Sequence, residues 1–536
     1  MGLGLSRVNA GEAVSSQNLA RSGGIVGMMT LMSRVLGFVR DQVLAIVFGA
    51  GATTDVFLVA FKIPNFLRRL FAEGAFAQAF VPVFTEYRET KSREALLDLA
   101  AHVSGTLTLI LLIISTLGVM LSPLLIMLFA PGFIDEPARF ELATHMLRIT
   151  FPYLFFVSLL AYAGSMLNTF GRFALPSFTP CLLNICMIGA ALFVSPLFET
   201  PIIALAWGVF VAGVVQLALQ LPFLQKMGLL PRPRWGWKHP GVQRILKLMA
   251  PAIFGSSVAQ INLLLDTVIA SFLTVGSLSW LYYSDRLMEF PLGLLGVTLG
   301  TVILPRLAQG HSRQSSDDFR RTLDWAVRLV LVLGLPSAIG LVWLAEPMIL
   351  TLFGYGKFQP DDAHMASFSL IAYSFGLPAF LLVKVFAPAF FARQNTKTPV
   401  RIGIIALVSN MFYNLLFVLP MIWLDFIAPH TGLAIASSLA AWQQALLLYR
   451  HLKASDIYTL SPDVVRFSKQ VLPGLLAMGV CLWICLWVSK TYTPGFVGFG
   501  ALDRGLMLAG IIVASAVVYA AVLLLSGVRP RHLKSP

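Results

Sequence analysis

Apolar runs of membrane-spanning length follow one another from residue 25 to residue 527 of this 536-residue chain, broken by glycine, proline and isolated charges. A spanning helix needs about 20 apolar residues, and reading the runs by that rule predicts about fourteen helices. The predicted spans include 25–49, 56–87, 99–129, 141–170, 247–274, 280–308 and 319–354. The expected fold class is an all-α polytopic membrane protein. An even number of crossings puts both termini on one side.

The spans group into two halves of six. Residues 1–23 form a polar tail, 24–226 the first six helices, 227–246 a connecting segment, 247–453 six more, 454–528 two further helices and 529–536 a second tail. The halves show a weak internal repeat. RDQVLA at 40–45 matches LDTVIA at 265–270, which pairs Asp41 with Asp266, and Gly51 then meets Gly276. Such a parallel repeat places its pseudo-twofold axis along the membrane normal. The last two helices have no counterpart in it.

Composition and charge sharpen this picture. The chain is 57% hydrophobic and 12% charged, which excludes an ordinary soluble core. A net charge of +14 suggests nucleic acid as a partner, but its distribution argues against that. Most Lys and Arg residues fall in the tails and in loops on one side, whereas the opposite side holds Arg139, Lys357, Lys490 and Arg504. That asymmetry is the positive-inside pattern and makes both tails cytoplasmic. In the connecting segment, Trp235, Trp237 and basic neighbours suit a stretch lying in the headgroup layer. The four cysteines, Cys181, Cys186, Cys481 and Cys485, sit in apolar runs without accompanying ligands and read as buried apolar residues. No metal, nucleotide or nucleophile motif is present, so neither a cofactor nor an enzymatic reaction is expected.

The chemistry lies in charges inside the spans. The first span carries Arg34, Arg40 and Asp41, and Arg34 and Asp41, seven apart, share a helix face. The second carries Asp55, Lys62, Asn65, Arg68, Arg69 and Glu73, with Arg69 and Glu73 four apart and Pro64 and Gly74 bracketing the charges. The eighth carries Ser284, Asp285, Arg286 and Glu289. A charge at the bilayer centre costs about 2.5–3.5 kcal/mol on insertion scales, so these residues line a wet cavity, pair across helices or lie at the interface. Pairing accounts well for Asp41 and Glu73. Arginine, whose planar fork bonds two oxygens at once, points to a phosphate-bearing substrate. Elsewhere Asp266, Asn410 and Asn414 offer carboxylate and amide oxygens that bind Na⁺, exchange a proton or bond between helices. Asp324 and Arg328 form an i,i+4 pair.

The segments SRVLGFVRD (33–41), FGAGATTDVF (48–57), FKIPNFLRRLFAEGAFAQAFVP (61–82), YYSDRLMEFPLGLLGVTLGTVILP (282–305) and YGKF (355–358) closely resemble the MurJ (MviN) family. These are bacterial lipid II flippases within the multidrug/oligosaccharidyl-lipid/polysaccharide exporter superfamily, and the resemblance runs from about residue 22 to about 527. It implies two six-helix lobes in a V around a central cavity, with the last two helices forming a groove for the lipid tail. It implies transport of undecaprenyl-pyrophosphate-linked peptidoglycan precursor from the cytoplasmic to the periplasmic leaflet of the inner membrane, by alternating access. The family's cavity residues correspond here to Arg34, Arg40, Asp55, Arg68 and Arg286, with Asn65, Glu73 and Ser279 nearby; Arg69 joins them from the charge pattern. Some members bind Na⁺ at a site similar to Asp266, Asn410 and Asn414, but Asn414 stands where a second carboxylate is expected, which argues for coupling to membrane potential instead. The implied partners are lipid II, membrane lipids, a coupling Na⁺ or H⁺, and proteins of cell-wall synthesis. Rival readings are another carrier of the superfamily, for O-antigen-type lipids or cationic drugs, and an enzyme or non-transporting scaffold of the wall machinery. Asp361 and Asp362 are the acids an outer-face enzyme would use.

Overall fold

The computed structural model describes residues 16–70, 76–312, 316–492 and 495–529, and no strand occurs among them. Ten helical stretches among the described residues, some of them joining two of the helices named below, are long and apolar enough to cross a membrane. The helices are α1 (Ser16–Phe48), α2 (Ala52–Arg68), α3 (Ala77–Thr90), α4 (Arg93–Met120), α5 (Ser122–Phe129), α6 (Pro137–Thr150), α7 (Tyr153–Thr169), α8 (Ala174–Gly189) and α9 (Ile203–Lys226). They continue with α10 (Pro240–Ser271), α11 (Ser277–Ser312), α12 (Ser316–Leu329), α13 (Leu335–Trp343), α14 (Ala345–Phe353), α15 (Pro360–Phe391), α16 (Lys397–Trp423), α17 (Thr431–Ala454), α18 (Pro462–Tyr492), α19 (Gly495–Gly498) and α20 (Ala501–Leu525). The charged stretches singled out above fall on α1, α2 and α11, which are not among the ten apolar helices.

Several predicted spans are interrupted, and the breaks have local causes. The span 56–87 is two helices, α2 and α3. The span 99–129 breaks at Leu121, two residues before Pro123, and 141–170 breaks before Pro152. Proline brings no N–H to the helical ladder, so the ladder is cut where it sits. The connecting segment is shorter than 227–246, because α10 starts at Pro240, where a fixed φ favours the first helical turn. The span 319–354 contains a π turn, Val330–Gly334, between α12 and α13. Pro336 follows it, and the carbonyl its missing N–H would have met is that of Val332. The Tyr519 hydroxyl of α20 donates to that carbonyl at 2.9 Å, which satisfies a group that lipid cannot.

The chain divides into two compact units of interleaved segments. Unit 1 comprises Met1–Val43, Ile63–Ser122 and His145–Ser256; unit 2 comprises Leu44–Lys62, Pro123–Thr144 and Ser257–Pro536. In unit 1 the core joins Phe80, Phe84, Leu99, Tyr162 and Met166 from α3, α4 and α7. The Tyr162 hydroxyl donates to the Ala100 carbonyl at 2.8 Å. The segment before α10 crosses α4 in direct backbone contact. A Cβ on Gly105 would lie 2.2 Å from the Arg234 carbonyl oxygen, so only glycine permits the crossing. Two bonds hold it there: Arg234 N–H to the Ala101 carbonyl at 3.0 Å and Gly236 N–H to Thr106 Oγ1 at 3.2 Å.

In unit 2, α15 packs on α11 and α17, and α17 on α16. Asp324 and Arg328 do not form the expected i,i+4 pair among the described contacts. Asp324 accepts from the Tyr458 hydroxyl at 2.7 Å, and Arg328 lies over the Phe467 ring at 5.6 Å. Buried Arg504 of α20 donates to the carbonyls of Gly354 and Val497, both at 3.0 Å. These contacts tie the last helices to the rest of unit 2.

Candidate functional site

Asp55 sits in the first turn of α2 and is 1% exposed. Its carboxylate accepts from Gly276 N–H at 2.7 Å, Ser279 N–H at 2.9 Å and Ser279 Oγ–H at 2.6 Å. Gly276 precedes α11 and Ser279 lies in its first turn, so one helix supplies the N-terminal cap of another. The open N–H groups and positive dipole end of α11 are matched by an anion from α2. Arg139 approaches from α6, 3.7 Å from Asp55, while it bonds Glu136 at 2.7 Å and stacks on Phe133 at 4.2 Å. The resemblance brought Asp55 and Ser279 to attention. Arg139 was read only as a far-side charge; the signal available for it was its spacing of three from Glu136.

Asp266 of α10 lies in a second cluster of the same unit. Asn414 Nδ2 and Asn410 Nδ2 donate to its Oδ1 at 2.8 and 3.3 Å, and Asn410 Nδ2 also donates to Asn262 Oδ1 at 2.8 Å. The structure therefore brings together the three residues grouped from the sequence and adds Asn262. The Oδ1 atoms of Asn410 and Asn414 are buried and have no hydrogen-bond partner among the described residues. An amide turned by half a revolution exchanges donor for acceptor. Both amides turned that way would aim their oxygens at Asp266 and give an all-oxygen shell of the kind Na⁺ takes. The donor set thus fits Na⁺ despite its single carboxylate, and Asp266, Asn262, Asn410 and Asn414 are the residues that would hold it. Lys62 of α2 donates to Thr267 Oγ1 at 3.1 Å and lies in the fields of Asp266, Asp285 and Asp55. The Lys62 amine is thus tethered to the residue that follows Asp266.

The remaining charges divide by environment. Arg40 is buried and bonds the adjacent Asp41 at 2.6 and 2.9 Å and Asn184 Oδ1 of α8 at 3.1 Å. Arg40 thus reaches back to its own neighbour, although the two side chains leave an ideal helix about 100° apart. Asn184, a polar residue in an otherwise apolar run, also donates to the Ser33 carbonyl at 3.1 Å; it went unread in the sequence. Arg34 is exposed and has no partner among the described residues. Arg68 donates to Asn65 Oδ1 at 2.8 Å, three residues back, which splays its guanidinium along α2. Arg69 follows the end of α2 and is exposed. Glu73 lies outside the described residues. On α11, Arg286 bonds Glu289 at 3.0 Å and lies over the Tyr282 ring at 5.0 Å. Ser284 is buried and donates to the Trp280 and Ala366 carbonyls.

Asp362, one of the acids an outer-face enzyme would use, is committed elsewhere. It accepts from Gln359 N–H at 2.9 Å in a capping box that starts α15 at Pro360, and from the Trp280 indole at 3.0 Å.

Comparison with known proteins fits this arrangement of charge on helices. A family model described as lipid II flippase MurJ matches residues 44–502. The chain is 49% identical to the probable lipid II flippase MurJ of Vibrio cholerae over 98% of its own length and 99% of the relative's. It is 50% identical to that of Haemophilus influenzae, over 94% and 99%, and 40% identical to the lipid II flippase MurJ of Burkholderia cenocepacia, over 96% and 99%. Among solved structures, a lipid II flippase MurJ in an inward closed conformation aligns with a TM-score of 0.75 at 28% identity, covering 93% of this chain and 99% of that one. An inward-facing multidrug transporter of the MATE family aligns at 0.65 with 11% identity, which is likeness of fold alone. With relatives at this identity along nearly its whole length, the chain belongs to the MurJ family of lipid II flippases.

Proposed function

We infer that this protein is a lipid II flippase of the bacterial inner membrane, a multi-pass carrier and not an enzyme, acting in peptidoglycan synthesis. The observation that carries the reading is its near-full-length match to relatives named for that activity. The charges support it, since a pyrophosphate headgroup calls for arginine forks. Arg34, Arg68, Arg69 and Arg286 are the groups we assign to the headgroup, all exposed or half-buried. Arg40, Asp55, Asn65 and Ser279 position helices and neighbouring cations. Depletion of the protein, followed by measurement of lipid II in each leaflet, tests the activity. Accumulation in the cytoplasmic leaflet is expected, and an unchanged distribution overturns the reading.

The finer reading is fourteen crossings with both termini cytoplasmic, two six-helix lobes that alternate access, and α18 with α20 holding the isoprenyl tail. Positive-inside bias supports the orientation. Cysteines introduced at Gly51, Glu136 and Asp361 should react with an impermeant thiol reagent from outside, and those at Lys91, Lys238 and Lys397 should not. Membrane potential is the energy source we favour, since one charge moved across 100 mV is worth about 2.3 kcal/mol. The single carboxylate of the Asp266 cluster, whose described side-chain partners are the neutral amides of Asn410 and Asn414, supports that choice. Cell-wall synthesis proteins as partners follow from the activity.

A further inference from the structure

We propose that unit 1 holds a membrane glycerophospholipid, one acyl chain in a cavity walled by α4, α7 and α10 and the phosphate on the basic segment that crosses α4. The cavity encloses about 270 Å³. Leu107, Ile110 and Ile114 form one wall and Leu246 and Met249 another. Thr106 to Ile114 is eight residues, or about 12 Å of helix, so the cavity runs lengthwise as an extended chain does. Leu246 and Met249 are half-exposed and Ala250 is exposed, so the cavity has an edge through which a chain can enter.

Its polar end is built for a phosphoester. The crossing segment lies on α4 from Ala101 to Thr106 and exposes Arg232, Arg234 and Lys238. No acid occurs between Met227 and Lys247 in the sequence. The nearest acids described are already matched by cations or imidazoles of the same unit. Asp98 faces His102 and His239 at 3.3 and 3.4 Å, and Glu86 pairs with Arg244 at 2.9 Å. Trp235 and Trp237 are exposed and stacked at 6.1 Å, the arrangement of an interfacial aromatic anchor.

Ser158 supplies an independent pointer. It lines the cavity, is 4% exposed, and its Oγ has no hydrogen-bond partner among the described residues. A helical serine normally donates to the carbonyl four residues back; this hydroxyl does not. Tyr162, one turn away on α7, bonds Ala100, at the level where the crossing segment meets α4. Ser158 is therefore about one turn, some 5 Å, below that level. In a glycerophospholipid the ester carbonyl lies just below the phosphate, where it would accept the Ser158 proton.

The test uses the full chain, purified and delipidated, with phosphatidylglycerol carrying a photoreactive group in its acyl chain. Crosslinks are expected within 103–114 and 242–253, and native mass spectrometry should retain one phosphatidylglycerol per chain. Ile110→Trp fills the cavity and should abolish both signals; Leu246→Trp, from the opposite wall, serves if the first variant does not fold. Replacing Arg232, Arg234 and Lys238 together by Gln should weaken retention by about tenfold or more, given the attraction of each basic group to lipid phosphate. Crosslinks confined to unit 2, or retention unchanged in both tryptophan variants, would overturn the proposal. So would displacement from these peptides by an equal concentration of undecaprenyl phosphate, which would assign the cavity to an isoprenyl chain. Transport is not read at any step, so the flippase reading stands or falls separately.

Discussion

Asp55 and Asp266 are both carboxylates set among helices of unit 2, yet their surroundings are opposite. Asp55 meets three donors at the start of α11, one from Gly276 just before it and two from Ser279 in its first turn, and a nearby guanidinium, and each of its oxygens has a partner. Around Asp266 the supply is reversed: two amides donate to one oxygen while their own buried carbonyl oxygens lack donors. The first arrangement is complete and holds one helix to another. The second has acceptors in excess, which is the signature of a place that can take a proton or a cation. Two acids of one residue type in one unit thus differ in their hydrogen-bond partners, and also in exposure, Asp55 being buried and Asp266 half-buried.

The largest effect should come from breaking the complete site. Asp55→Ala removes three bonds to a charged acceptor, each worth roughly 1.5–3 kcal/mol, and leaves the start of α11 uncapped. Lipid II flipping in reconstituted vesicles should fall to background and thermal stability should drop. Asp55→Asn keeps one acceptor oxygen and should retain part of the stability. Equal stability of the alanine variant and the parent would show that Asp55 does not hold the start of α11.

Arg34→Ala, Arg68→Ala and Arg286→Ala should each abolish flipping while leaving membrane levels and stability near those of the parent. Their guanidiniums carry no helix cap. Lysine at the same positions should restore only part of the activity, since a point charge cannot make the bidentate contact. Normal flipping by all three alanine variants would exclude the anion role.

Lys62 and Asp266 sharpen the comparison through coupling. Lys62→Met and Asp266→Asn should each destabilise the protein, because each leaves a charge behind. The double variant should regain much of the loss, with a coupling of about 1–3 kcal/mol in chemical denaturation. Strict additivity would show that the ammonium does not balance this acid.

The smallest effect concerns Na⁺. Its removal at constant potential should barely slow flipping, whereas collapse of the potential at constant pH and Na⁺ should stop it. Flipping that fails without Na⁺ but survives without potential would make Asp266, with its underused amides, the coupling residue.

The helical architecture was legible because lipid imposes a length on every apolar run, and each predicted span overlaps at least one helix. The interruptions were less so. Proline marks a cut in hydrogen bonding but not whether the helix bends, tightens or stops, as the different outcomes at Pro123 and Pro336 show. Asp266, Asn410 and Asn414, grouped from the sequence, are in hydrogen-bond contact. The pair of Arg40 with Asp41 is hidden from helix spacing, because ideal geometry separates neighbours by about 100° while a long guanidinium reaches across that angle. The hydrogen-bond donors to Asp55 are more than 200 residues away in sequence, and local spacing carries no information about them. Interleaving of the two units has the same origin, since segments 44–62 and 123–144 are assigned by long-range packing alone.

The bond from Tyr519 to the Val332 carbonyl makes two distant positions conditional on each other. While Pro336 is present, Tyr519→Phe leaves a buried carbonyl unmatched, a loss of about 1–3 kcal/mol. Once a residue with an N–H replaces Pro336 and the ladder closes, the hydroxyl has no such task and its loss becomes nearly neutral. The order of substitution therefore decides whether the tyrosine can drift. Lineages that lost the proline first would be free to vary residue 519, while those that kept it would not, an epistasis between α13 and α20 that follows from one missing hydrogen.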